Sequence, residues 1–154
     1  MTHKLILERG LGLLAMALFF GVLVPAQGRA QAVKLEAQLV WGTDTATQAN
    51  PSHKPVEEDV QKKLAELPLK YSHYYEINRK AFTIDQSGSS KVELSDKCYV
   101  EVKNLKDSKV EVVLFGKGKE VVKRTQALPK GEMLVLAGNA PNATAWLVTL
   151  KRIE

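Results

Sequence analysis

One cysteine, three histidines and 6% aromatic residues leave this 154-residue chain little of the usual material for site chemistry. The lone Cys98 can form neither an internal disulfide nor a cysteine-based metal site. No His-x-His, no His-Glu-x-x-His and no cysteine pair occurs, so the ligands that first-row metals prefer are missing and no metal or other cofactor is expected. No Gly-x-Ser-x-Gly occurs either, which removes the usual nucleophile elbow of serine hydrolases. What is present is ordinary for a folded protein. With 45% hydrophobic and 25% charged residues the chain is neither disordered nor of low complexity. Its length suits one domain that folds without a staple.

The first segment reads as a targeting signal. Lys4 and Arg9 precede an unbroken apolar run over residues 11–24, and Pro25 and Gly28 end it before the small residues Ala30 and Ala32. A basic start, a short apolar centre and a small-x-small exit describe a cleavable secretory signal. As a helix the run would rise about 21 Å, short of a hydrocarbon core of about 30 Å, which argues against a retained anchor. Cleavage is expected after Ala32, with Gly28 and Ala30 as neighbouring alternatives. The product would be exported, periplasmic or secreted, with no membrane span. Removal takes Lys4, Arg9, Arg29 and Glu8, so the net charge falls from +5 to +3. The remaining bases alternate with acids, as in Lys91/Glu93, Lys97/Glu101 and Lys109/Glu111. Nucleic-acid binding needs bases clustered on one face, and that reading is set aside.

The rest, residues 33–154, reads as a single β-rich domain. Residues 33–41 alternate strictly, with Val33, Leu35, Ala37, Leu39 and Trp41 on one side, which is the period of a half-buried strand. Residues 42–54 are polar and rich in turn formers, hence a long loop. One helix is expected over about 56–67, because Val56, Val60, Leu64 and Leu67 recur at helical spacing. Pro55 opens it, acids fill its first turn, bases follow, and Pro68 stops it. From Tyr71 onward period-two segments alternate with Gly, Pro and Asn turns. The expected fold class is mainly β: an antiparallel sandwich or barrel-like body of about seven to nine strands with that one short helix.

Few residues stand out as candidates for function. Gly116, Lys117, Gly118 and Lys119 precede a strand, so they suit a hairpin turn better than a phosphate cradle. Glu57, Glu58 and Asp59 splay around a helix start and complement its dipole rather than converge on calcium. Cys98 shares a strand face with Val100 and Val102 and reads as a core thiol. Trp41 and Trp146 read as core aromatics, and Asn142-Ala143-Thr144 fits a glycosylation acceptor. The least ordinary stretch is Tyr71, Ser72, His73, Tyr74, Tyr75 and Glu76, which holds three of the four tyrosines. Strand alternation puts Tyr71, His73 and Tyr75 on one side and Tyr74 and Glu76 on the other. Tyrosines on an exposed strand face give broad, rigid contact area, so Tyr71, His73, Tyr74, Tyr75 and Glu76 are the candidate ligand- or partner-binding residues.

These observations favour an exported, non-enzymatic β-domain that binds an envelope or extracellular protein or another ligand. Loops on a rigid scaffold and open sheet edges are the usual binding surfaces of such domains. The competing expectation is a small secreted hydrolase, with His73 and either Glu76 or Asp85 as acid and base. An inhibitor of an extracellular enzyme, using the loop at 42–54, is the third.

Overall fold

A computed structural model describes residues 32–45, 50–139 and 144–154. The expected signal segment and the glycosylation acceptor at Asn142 lie outside the described residues, apart from Ala32 and Thr144 at their ends. The strands in chain order are β1 (Val33–Thr43), β2 (Lys54–Pro55), β3 (His73–Ile84), β4 (Ser89–Ser95), β5 (Cys98–Asn104), β6 (Lys109–Gly116), β7 (Lys119–Ala127), β8 (Met133–Asn139) and β9 (Ala145–Arg152). One helix, α1 (Glu58–Ala65), sits between β2 and β3. No helix among the described residues is long and apolar enough to cross a membrane.

The strands form two antiparallel sheets, one ordered β2-β3-β1-β9-β8 and the other β4-β5-β6-β7. The architecture is therefore a sandwich, and its connectivity is a meander. From β3 to β9 each strand lies beside the next in sequence, and β1 closes the circuit between β9 and β3. At the corner where β3 meets β4, Asn78 Nδ2 donates to the Leu94 carbonyl at 2.8 Å. Between the sheets lies the main core, including Leu35, Val100, Val102, Val112, Leu114 and Leu150. The expected alternation placed these side chains correctly because each strand keeps one face to this core.

The first sheet is covered on its other face as well. Val40, Tyr74, Ala145 and Leu147 meet Val60 and Leu64 of α1 in a second apolar cluster. This double coverage explains why β9 is apolar almost throughout instead of alternating. Leu64 is almost completely buried, so Leu64→Ala should cost about 3 kcal/mol by the cavity it leaves. Chemical denaturation checks this, and a loss under 1 kcal/mol would mean that the helix is not part of the cooperative unit.

The helix is shorter than its periodicity suggests. Lys54 and Pro55 pair with Glu76 and Tyr75 as β2, and the Val56 amide donates to the Tyr74 carbonyl, so the chain is still extended where the helix was expected to begin. Two side-chain contacts then fasten α1 to the sheet. Lys151 of β9 donates to Asp59, and Arg79 of β3 meets Glu57 at 3.0 Å.

Candidate functional site

Three register irregularities share one end of the sandwich. The extra residues are Ile77 in β3, Leu94 in β4 and Val121 in β7, each opposite a stretch of partner strand one residue shorter. A bulge bends its strand and re-aims the neighbouring side chain. At this end the sheets part and leave an open recess of about 460 Å³, bordered by Leu39, Cys98, Gly116, Val121 and Trp146, with Ser95, Lys97 and Lys117 also lining it. We call it the mouth. Its walls are apolar apart from the serine and the two lysines.

Trp146 is the largest group in the mouth, and two glycines make room for it. A Cβ on Gly138 of β8 would lie 2.3 Å from the indole Cζ2, and one on Gly116 of β6 would lie 3.0 Å from the same atom. The indole therefore lies across Gly138 in its own sheet and against Gly116 in the other. Glycine inside a strand marks such a close approach. Trp146 continues a row across the first sheet, with Trp41 opposite it on β1 and Tyr75 opposite Trp41 on β3. The Trp41 and Tyr75 rings are 5.9 Å apart.

Val121 forms the wall at the edge of the second sheet. At 40% exposure it is the exposed large hydrophobic residue among the described residues. Cys98 is buried in the floor, and burial pushes its thiol up to about 11, so it is protonated at neutral pH and a poor nucleophile. The hairpin between β6 and β7 turns through Lys117 (φ 52°) and Gly118 (φ 74°), as a two-residue turn with both central residues left-handed. The stretch expected to be a hairpin is one. The Lys117 amide donates to the Lys97 carbonyl at 2.7 Å, tying this hairpin to the turn between β4 and β5.

The five residues singled out from sequence are placed mostly inward. Tyr74 and Tyr75 are each 5% exposed. Tyr74 faces α1, and burial, with the charges of Tyr71 and Asp44 nearby, holds its hydroxyl above the ordinary value of 10. Tyr71 precedes β3 and packs edge-on against Tyr74, with ring centroids 6.5 Å apart. It thus joins the helix side, not the side of His73 and Tyr75 that uninterrupted alternation predicts. His73, half-buried, stands opposite Thr43 on β1.

Glu76 belongs to a polar network under the helix. Its carboxylate accepts from Gln38, which is 2% exposed, and from Arg79 Nη2 at 2.6 Å. Arg79 also reaches Glu36 at 3.4 Å and Glu57 at 3.0 Å. Burial works to raise the Glu76 carboxyl, but the hydrogen bonds from Arg79 and Gln38 outweigh it and hold it below 4.5. His73 and Glu76 project from opposite faces of β3, and Asp85 follows its far end, so the acid and base expected for a hydrolase do not converge. Among the described residues no three His, Cys, Asp or Glu side chains gather as metal ligands would.

A second recess of about 390 Å³, on the outer face of the other sheet, is lined by serines and by charges of both signs, among them Lys91, Glu101, Lys103 and Glu111. It lacks the apolar walls typical of ligand pockets. Sequence reasoning missed the mouth because its members are scattered over six strands and two turns. Gly138 and Gly116 each end an apolar stretch, as turn and loop glycines do, and only their place on either side of Trp146 gives them a role. Comparison with known proteins finds no matching family, no similar curated protein and no similar solved structure.

Proposed function

We propose that the chain is an exported, non-enzymatic binding domain whose ligand, a small molecule with an apolar body, seats in the mouth. The observation that carries this reading is an open apolar recess of about 460 Å³, while most other apolar side chains among the described residues pack in two cores. That volume falls in the range used by small-molecule sites. The walls come from strands of both sheets, so the seat is pre-formed and its occupant loses little to ordering of the protein. The separation of His73, Glu76 and Asp85, and the protonated state of Cys98, favour binding over catalysis. The apolar run at residues 11–24 supports export.

Two measurements test the proposal. The neutral fluorophore N-phenyl-1-naphthylamine should bind saturably, one per chain, and Val121→Asn should weaken it roughly five- to tenfold through the loss of one aliphatic contact. Uptake that is absent, or that ignores Val121→Asn, would remove the mouth as the seat. N-terminal sequencing of the protein recovered outside the cytoplasm should begin at Val33, and a chain that stays inside the cell beginning at Met1 would refute export.

A further inference from the structure

We infer that the ligand of the mouth is a monomeric amphiphile with one apolar chain and an anionic head, carboxylate or phosphate, held by Lys97 and Lys117. The inference rests on the reading of the mouth as a ligand seat and adds the sign and place of the ligand's charge.

Charge complementarity at the opening carries it. Lys97 and Lys117 both line the recess, both are exposed, and neither forms an ion pair among the described residues. On the same sheet Lys91 meets Glu93 at 3.4 Å and Lys123 meets Glu111 at 3.1 Å, so a carboxylate is within reach of some of its lysines but of neither one at the opening. The 2.7 Å hydrogen bond between the Lys117 amide and the Lys97 carbonyl fixes the two backbones side by side, so both ammonium groups start from one point of the opening. Lys119 follows across the hairpin and does not line the recess. The acids of the same turns, Asp96 and Glu120, are exposed and do not line the recess. A flexible ammonium is a point charge that suits any compact anion.

The occupant's apolar part follows from the shape. A volume of about 460 Å³ lies toward the lower end for drug-sized ligands, which suits one chain rather than two. The apolar surface is recessed between sheets, and Val121 alone among large hydrophobic residues is exposed among those described. Among the described residues no cluster of exposed large hydrophobic side chains projects that would enter a bilayer, so a single molecule drawn into the recess fits better than docking on a membrane.

The experiment uses the mature chain with dodecanoate and dodecyltrimethylammonium below their micelle concentrations, whose alkyl tails differ by a single methylene and whose heads differ in sign. Displacement of N-phenyl-1-naphthylamine reads their affinities at pH 8. Dodecanoate is expected to bind at least tenfold more tightly, with the preference shrinking between 50 and 500 mM salt as screening requires. Lys97→Gln with Lys117→Gln should erase the preference, and Lys97→Glu with Lys117→Glu should reverse it. If the fluorophore binds and the two amphiphiles bind equally, or if the glutamine pair keeps the preference, the anionic-head inference fails while the mouth stands. If neither amphiphile nor fluorophore binds, both readings fail together. Co-sedimentation with anionic phospholipid vesicles without binding of monomeric dodecanoate would make the occupant a membrane surface, which also overturns the inference.

Discussion

Gly138→Val is expected to unseat Trp146, lower stability by about 1–3 kcal/mol and weaken binding in the mouth at least tenfold. Three atoms of the indole lie within 2.8 Å of where a Cβ at position 138 would be. No real contact is that short, so even one methyl group forces the ring to move, and a branched side chain forces it further. Overpacking of this kind typically costs 1–3 kcal/mol. The ring cannot slide toward the opposite sheet, because Gly116 already brings backbone against it there. The recess that the ligand would occupy is the open side of the ring, and the displacement is expected there. The checks are chemical denaturation and N-phenyl-1-naphthylamine titration on the same protein. A variant with unchanged stability and unchanged uptake would mean that the indole does not lie between the two glycines.

Arg79→Met should give the second large effect, and its signature is in the pH dependence. Arg79 stands among Glu36, Glu57 and Glu76 on the helix side of the first sheet. Removing it leaves three carboxylates facing one another without the cation between them. Full burial of such a cluster would make the loss several kcal/mol, and full exposure would make it negligible. At 27% side-chain exposure we expect an intermediate loss of roughly 2 kcal/mol at pH 7.

The sign of the pH effect follows from the two depressed carboxyls. Glu76 sits below its ordinary 4.5, and Asp59 sits below 3.8 because Lys151 donates to it. A depressed carboxyl adds stability that is present above its unfolded value and lost as pH falls through its folded value. The native protein should therefore lose stability as pH drops below about 4.5. In Arg79→Met, burial acts on Glu76 against only the Gln38 hydrogen bond and the charge of Lys54, so its share of that acid-side loss shrinks. Denaturation midpoints at pH 7, 5 and 3.5 separate the cases: parallel curves for the native and variant proteins would mean that Arg79 does not hold Glu76 down. Arg79→Lys should recover only part of the loss, since one ammonium cannot reach the positions of a planar fork.

The sandwich was legible because its inner faces are periodic. Residues such as Val100 and Val102, or Val112 and Leu114, alternate without interruption, and the turns between them carry Gly, Asn or Pro. The first sheet was harder to read. Its second face is buried too, so Val40, Tyr74 and Leu147 carry apolar side chains where alternation predicts polar ones. The bulge at Ile77 separates two phases within β3 that a single period of two treats as one. Tyr71 escaped for a related reason: it lies before the strand begins and is set by its contact with Tyr74.

The mouth left almost no trace in the sequence. Bulges are register properties of strand pairs, and neither the extra Val121 nor the extra Leu94 alters local composition. Gly138 did carry a signal, since a glycine between Ala137 and Asn139 at the end of an apolar run can mark a close approach as well as a loop. Lys97 and Lys117 read as solvated turn lysines in a chain with many such residues. The pairing of Cys98 with Gly116 and the backbone hydrogen bond just beyond it bring them to one place. The long loop expected at 42–54 leaves β1 at Thr43, at the same end of the body as the mouth.

The most direct test of the account is an amide and indole NMR titration of the mature chain with dodecanoate. The predicted result is a saturable, one-to-one set of shifts at Leu39, Cys98, Val121 and the Trp146 indole N–H, with the 71–76 segment changing little. Shifts centred on Tyr71, His73 and Glu76, with the mouth unmoved, would contradict it and return binding to the tyrosine segment.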